Sequence, residues 1–147
     1  MAEDGATDNR IVVGIDGSSS SLAALGWAAE QADRTGAKLE VITTWIWPTT
    51  YGWAIPYPTG FDPAESAQKV LDESIAGLGD SHPGLEIVTR VLEGHPAPAL
   101  IEVSKGAQLL VVGSRGHGEF AGMLLGSVSE HCAAHAHCPV LIYREKG

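Results

Sequence analysis

Five short apolar runs, separated by segments long enough to form helices, leave this chain very few architectures. They are IVVGI (Ile11 to Ile15), LEVITT (Leu39 to Thr44), LEIVTRVL (Leu85 to Leu92), LLVV (Leu109 to Val112) and VLIY (Val140 to Tyr143). The first and fourth are apolar at nearly every position, as a strand buried on both faces requires, and the fifth is a last apolar strand. The third alternates, and so reads as a strand nearer a sheet edge.

Helix signals fill the gaps. Ser18 to Ser20 offer a cap for a helix running to about Thr35, with Leu22, Leu25, Ala29 and Ala32 near one face and Gly36 at its end. Asp62-Pro63 supplies an N-cap and a first-position proline for a second helix reaching about Leu78, with Val70, Ile75 and Leu78 inward. Gly94-His95-Pro96 breaks the third strand, and Ala97 to Gly106 is a short third helix. Ser127 to about His137 is the fourth, stopped by Pro139. Strands alternating with helices at this spacing require a parallel sheet with right-handed crossovers and helices on both faces. The expectation is one α/β domain over residues 10–147, without internal repeats, behind a disordered tail over residues 1–9.

Charge narrows the partners. Lys plus Arg is 9 and Asp plus Glu is 18, a net charge of −9. That field repels nucleic acids and anionic membranes, and it obliges any phosphate ligand to find local donors or a metal ion. No apolar run approaches the roughly 20 residues of a membrane span. The acidic start, MAEDGATDNR, does not read as a signal peptide, so a cytoplasmic location is expected. Cys132 and Cys138 then read as free buried thiols.

An open α/β sheet binds ligands outside the carboxyl ends of its strands, where the strand order reverses. The first strand and the one ending at Val112 are the natural neighbours there, which brings Asp16 and Gly113 to one crevice. Asp16 is a candidate for a ribose hydroxyl or a metal ion; it also fits a plain turn with Gly17. After Val112 come Gly113, Gly116 and, nine residues on, Gly126-Ser127 opening a helix. Glycines let backbone N–H groups approach an anion, and a helix start adds donors, with Ser127 able to cap through its hydroxyl. Taken alone the spacing reads as loop and cap glycines with no ligand. Neither Gly-x-x-x-x-Gly-Lys-[Ser/Thr] nor Gly-x-Gly-x-x-Gly after the first strand occurs. Trp47, Tyr51, Trp53, Tyr57 and Phe61 fall in an irregular stretch that would cover a planar base, or pack on the protein itself or on a partner.

Catalytic groups are scarce. Asp16 with Mg²⁺ (or Mn²⁺) and Arg115 are the evident candidates for phosphate chemistry, no lysine lies in the glycine loop, and Gly-x-Ser-x-Gly is absent. His131 and His135 share a helix face, with Cys132, His137 and Cys138 nearby. Cys132 points about 100° away from His131. A structural zinc site needs four placed ligands, so these read as solvated surface histidines.

The combination VVGIDGS, VVGSRG…LLGSVS and HCPVLIYR, in this order, resembles the universal stress proteins over about Arg10 to Arg144. Gly113-x2-Gly116-x9-Gly126-Ser127 matches the pattern of the family's ATP-binding members. The resemblance implies a Rossmann-like, five-stranded parallel sheet of order 3-2-1-4-5, ATP at the switch point, and a homodimer. It implies that Asp16 contacts the ribose or the phosphate-bound metal, that Ile15 approaches the base, and that the backbone of Ile46 pairs with adenine. Gly113, Arg115 and Gly116, beside Val112, would line the phosphate loop, and Gly126, Ser127 and Val128 would offer N–H groups and a hydroxyl. Gly94 looks structural. The last strand (Val140, Leu141, Ile142, Tyr143) would pair with its twin across the dimer axis, which also removes an exposed apolar edge. The expected function is an ATP-binding stress-response or regulatory protein with at most slow hydrolysis, read by an unknown protein partner. The alternative is a dimeric interaction module whose crevice is empty or holds another nucleotide such as cyclic AMP.

Overall fold

The computed structural model describes residues 8–47, 49–50, 53–54, 60, 62–115 and 126–145. The elements in chain order are β1 (Arg10–Gly14), α1 (Ser19–Thr35), β2 (Lys38–Trp45), β3 (Thr49–Thr50), β4 (Trp53–Ala54), α2 (Pro63–Ile75), α3 (Leu78–Ser81), β5 (Ile87–Glu93), α4 (Pro96–Val103), β6 (Leu109–Gly113), α5 (Ser127–His135) and β7 (Val140–Tyr143). Five strands form one sheet in the order β5-β2-β1-β6-β7, all neighbours parallel. Numbered by their occurrence in that sheet, this is the expected order 3-2-1-4-5, with the alternating third strand at one edge. Ile11 is in register with Leu39 on one side and Leu109 on the other.

Strand alternation divides the core into two layers. Ile11, Val13, Leu39, Val41 and Val111 face α1 and α2, packing on Ala24, Leu25, Ala28, Ala29 and Leu71. Val12, Ile42, Leu110 and Val112 face the other way, onto Leu100 and Val103 of α4 and Cys132 of α5. Small residues along α1 let its axis lie close to the sheet, which matters for the site below.

At the amino end of the sheet, Arg10 donates to Glu40 at 2.9 Å and to the carbonyls of Val103 (3.1 Å) and Lys105 (2.7 Å). Arg90 donates to the other Glu40 oxygen at 3.2 Å. A buried carboxylate thus joins β1, β2 and β5. Asp8 N–H donates to the Gly106 carbonyl, and Lys38 N–H to that of Asn9.

Several sequence expectations shift. The second helix stops at Ile75 rather than Leu78, because Ala76 turns extended and Gly77 takes φ 88°, so Leu78 starts a separate turn of helix. Its buried residues are Pro63, Ala67 and Leu71; Leu71 rather than Val70 carries the packing. On α1, Leu22 is 40% exposed, since Ser21, Leu25, Ala28 and Ala32 hold the inward stripe. The third strand begins at Ile87 because Leu85 N–H closes a turn onto His82. The aromatic stretch contains a short antiparallel hairpin, Thr49–Thr50 with Trp53–Ala54, where no element was expected. Tyr51, Tyr57 and Phe61 lie outside the described residues.

Candidate functional site

The order of the sheet reverses between β1 and β6, and a cavity of about 280 Å³ opens at the carboxyl ends of β1, β2 and β6. Its lining comes from distant parts of the chain: Gly14, Ile15 and Asp16; Ile42 to Trp45; Pro63, Ser66, Ala67 and Val70 of α2; Pro96 and Leu100 of α4; Val112, Gly113 and Arg115; Gly126, Val128 and Ser129. Ile15, Ile42, Leu100 and Val112 give it an apolar floor, while hydroxyls, one carboxylate and one guanidinium stand among the rest. Asp16 is the carboxylate and Arg115 the guanidinium of the lining among the described residues.

Local sequence builds each wall. Asp16 Oδ1 accepts the Ser18 N–H at 2.9 Å, and Gly17 takes φ 84°, so the Asp-Gly turn is present and sets Asp16 at the cavity. Ser18 then caps α1, its hydroxyl oxygen accepting the Ser21 N–H at 3.2 Å. The Ser21 hydroxyl in turn accepts the Asp16 N–H at 3.2 Å. The start of α1 lies against the end of β6: the Arg115 N–H donates to the Ser20 hydroxyl at 3.3 Å. A Cβ on Gly113 would stand 2.6 Å from Ser20 Oγ and 2.8 Å from its carbonyl carbon and oxygen. Glycine at 113 is therefore demanded by the helix, whatever the crevice binds. Gly14 has the same need in milder form, since its Cβ would meet Leu100 Cδ1 at 2.6 Å.

The α5 wall is more occupied than its glycine motif suggests. Gly126 N–H donates to the Ser114 carbonyl at 2.6 Å, and the Ser129 hydroxyl donates to the carbonyls of Ser114 (3.2 Å) and Gly126 (2.9 Å). These bonds fasten α5 to the end of β6. They also correct one expectation: the N-cap is Gly126, with no side-chain cap bond, and Ser127 is the first helical residue, exposed and outside the lining. Ser127 sits one position too late to cap.

Of the residues singled out from sequence, Ile15, Asp16, Val112, Gly113, Arg115, Gly126 and Val128 meet around the cavity. Ile46 is 41% exposed and stands outside the lining, next to Trp45, which is part of it. Gly116 lies outside the described residues. Sequence reasoning missed Thr43 and Thr44, although they end the second strand, and all of α2. The signal for α2 was Asp62-Pro63, whose cap bonds to Ala64 and Glu65 aim the first turn at the crevice. Gly94, at φ 133°, donates its N–H to the Trp45 carbonyl and closes the end of β5 onto β2.

Other groups stand apart from the cavity. Burial pushes the Cys132 thiol up to about 11, and Cys138 is raised by burial against the opposing pull of Arg10. Both are free thiols. Among the described residues no group of three or more His, Cys, Asp or Glu converges as a metal cage, and no helix is long and apolar enough to cross a membrane.

Comparison with known proteins gives a consistent picture. The profile of the universal stress protein family matches residues 9–144. A universal stress protein of Mycolicibacterium smegmatis is 39% identical over 137 residues, covering 92% of this chain and 46% of that protein. The chain spans about half the length of the curated relatives it matches. The solved UspA from Lactobacillus plantarum superposes with TM-score 0.77 at 20% identity, covering 95% of this chain and 99% of the other, a likeness of fold. A universal stress protein solved in complex with cAMP is 31% identical with TM-score 0.70, covering 92% and 96%. By sequence profile and by the identity of its relatives, this chain belongs to the universal stress protein family.

Proposed function

We propose that this chain is a nucleotide-binding regulatory protein of the stress response, acting in the cytoplasm, and that its ligand is ATP. One observation carries the reading: residues from six separate segments line a single cavity at the switch point, with an apolar floor and, among the described residues, one carboxylate and one guanidinium. A planar base suits the floor. A ribose suits Asp16, and a phosphate suits Arg115 and the start of α5. Mg²⁺ would reach this chain through Asp16, with phosphate oxygens and water supplying its other ligands. The lining holds one carboxylate and no lysine among the described residues, so hydrolysis is at most slow. Partner proteins would then read the loaded state. A homodimer through β7, which forms a sheet edge, completes the proposal.

A second reading has a specific support, the cAMP complex of the 31% identical relative. Isothermal titration with ATP·Mg²⁺, ATP and cyclic AMP separates the two. Tighter binding of ATP supports the first reading; tighter binding of cyclic AMP replaces it with the second. Heat from none of the three leaves an interaction module. Multiple-turnover phosphate release above a purified blank, abolished in Asp16→Ala, would overturn the claim of slow hydrolysis.

A further inference from the structure

The outward face of α5 carries two imidazoles one turn apart. His131 and His135 are both exposed, with ring centres 6.4 Å apart and planes inclined by 37°. Residues four apart on a helix stand above one another, so the pair shares one patch of solvent. His131 is oriented: its Nδ1 lies 2.8 Å from the Ser127 carbonyl oxygen. A carbonyl only accepts, so Nδ1 carries the proton, and Nε2 of the neutral ring keeps its lone pair. A backbone carbonyl holding the far nitrogen is also how proteins fix the tautomer and raise the basicity of a metal-ligating histidine.

We propose that His131 and His135 chelate a divalent transition-metal ion, with Cu²⁺ preferred over Zn²⁺, and that water fills the remaining positions. Imidazole nitrogens suit these ions, and copper leads the affinity order for such donors. With metal–nitrogen bonds of about 2.0–2.1 Å, ring centres sharing one ion stand no more than about 6.5 Å apart. That limit is a linear arrangement; a chelate with nitrogens at about 90° around the ion brings the ring centres to about 4.5 Å. The observed 6.4 Å must therefore close, and rotation of two exposed side chains supplies the change. Two further terms favour a cation. His135 is in the last turn of α5, at the negative end of the helix dipole. The chain as a whole carries −9.

The ion would tie successive turns of a helix only nine residues long, whose first turn borders the cavity. A helix that short is marginal by itself, so a staple between turns steadies it. The patch lies outside the cavity lining, and nothing in the claim depends on which nucleotide the cavity holds.

The full chain, free of nucleotide, is titrated with CuCl₂ and with ZnCl₂ in a non-chelating buffer at pH 7.5. One equivalent of Cu²⁺ should bind at micromolar or tighter affinity, Zn²⁺ more weakly. His131→Asn and His135→Asn should each weaken Cu²⁺ at least tenfold while leaving far-ultraviolet circular dichroism unchanged. Because a ligand that prefers the folded state stabilises it, saturating Cu²⁺ should raise the Tm of the parent and not of the double variant. Equal affinity in the parent and the double variant, or no binding at a hundred micromolar, would overturn the proposal. Selective broadening of the His131 and His135 ring proton signals by substoichiometric Cu²⁺ would support it; broadening confined to other histidines would overturn it.

Discussion

Gly113 illustrates how one residue type answers two demands. Its missing side chain is needed because backbone atoms of Ser20 would lie 2.8 Å from a Cβ. Backbone cannot swing aside as a side chain can, so Gly113→Ala must push α1 off the sheet. Overpacking of this kind costs about 2–3 kcal/mol. Gly14→Ala meets only the Leu100 side chain, which borders the cavity and has room to turn, so about 1 kcal/mol is expected there. Urea denaturation of both variants checks the order, and an equal or reversed cost would contradict the close approach of α1. Cys132 supplies a pH test. Burial disfavours its thiolate, so the folded chain holds the proton up to about 11, whereas the unfolded thiol releases it near 9.0. The unfolded state therefore binds fewer protons above that lower value, and stability falls as pH rises. The advantage of the native chain over Cys132→Ala should be full below pH 9 and should shrink towards pH 11, read from denaturation midpoints. A widening advantage would contradict the burial of Cys132.

Among the elements, strands were the most legible in sequence, because their signal is a run of apolar residues. LLVV is buried on both faces and reads as such; the alternating LEIVTRVL lies at an edge, half exposed. Helix ends were less legible. Leu78 continued the apolar period of α2, yet Gly77 at φ 88° ended it, a conformation only the folded backbone reveals. The cap of α5 misled for a related reason: Gly126-Ser127 offers two residues that can start a helix, and the bonds to Ser114 select the first. The crevice was half legible. Residues at the ends of β1 and β6 follow from topology, whereas α2 reaches the cavity through packing across β2, which no local pattern announces. Buried charge was not legible either. Glu40 reads as one polar residue in an apolar strand, and it turns out to bridge Arg10 and Arg90. Removing it takes the buried carboxylate from Arg10, which keeps the carbonyls of Val103 and Lys105 and the exposed Asp8, so Glu40→Ala should cost about 2 kcal/mol. An unchanged urea midpoint would mean the cluster contributes nothing.

At the scale of the molecule, the single reversal of the five-stranded sheet opens a crevice, and the crevice gathers the polar groups that topology leaves at the strand ends. The curated relatives it matches are about twice as long as this chain, and the proposed pairing through β7 would bring two such units together. Sedimentation should then find a species of twice 15.4 kDa, and a monomer at tens of micromolar would reject that pairing. The central claim is that the cavity between β1, β2, β6 and α2 holds a nucleotide. Val70 lines it from α2 and is only half-buried, so Val70→Trp fills the space with little disturbance of the core. Calorimetric titration of ATP·Mg²⁺ and cyclic AMP into the native chain and into Val70→Trp, with the fold of each checked by circular dichroism, tests that claim most directly. The account predicts one site per chain for the preferred nucleotide and at least a tenfold loss in the filled variant; equal affinity in both chains would place the nucleotide elsewhere and contradict it.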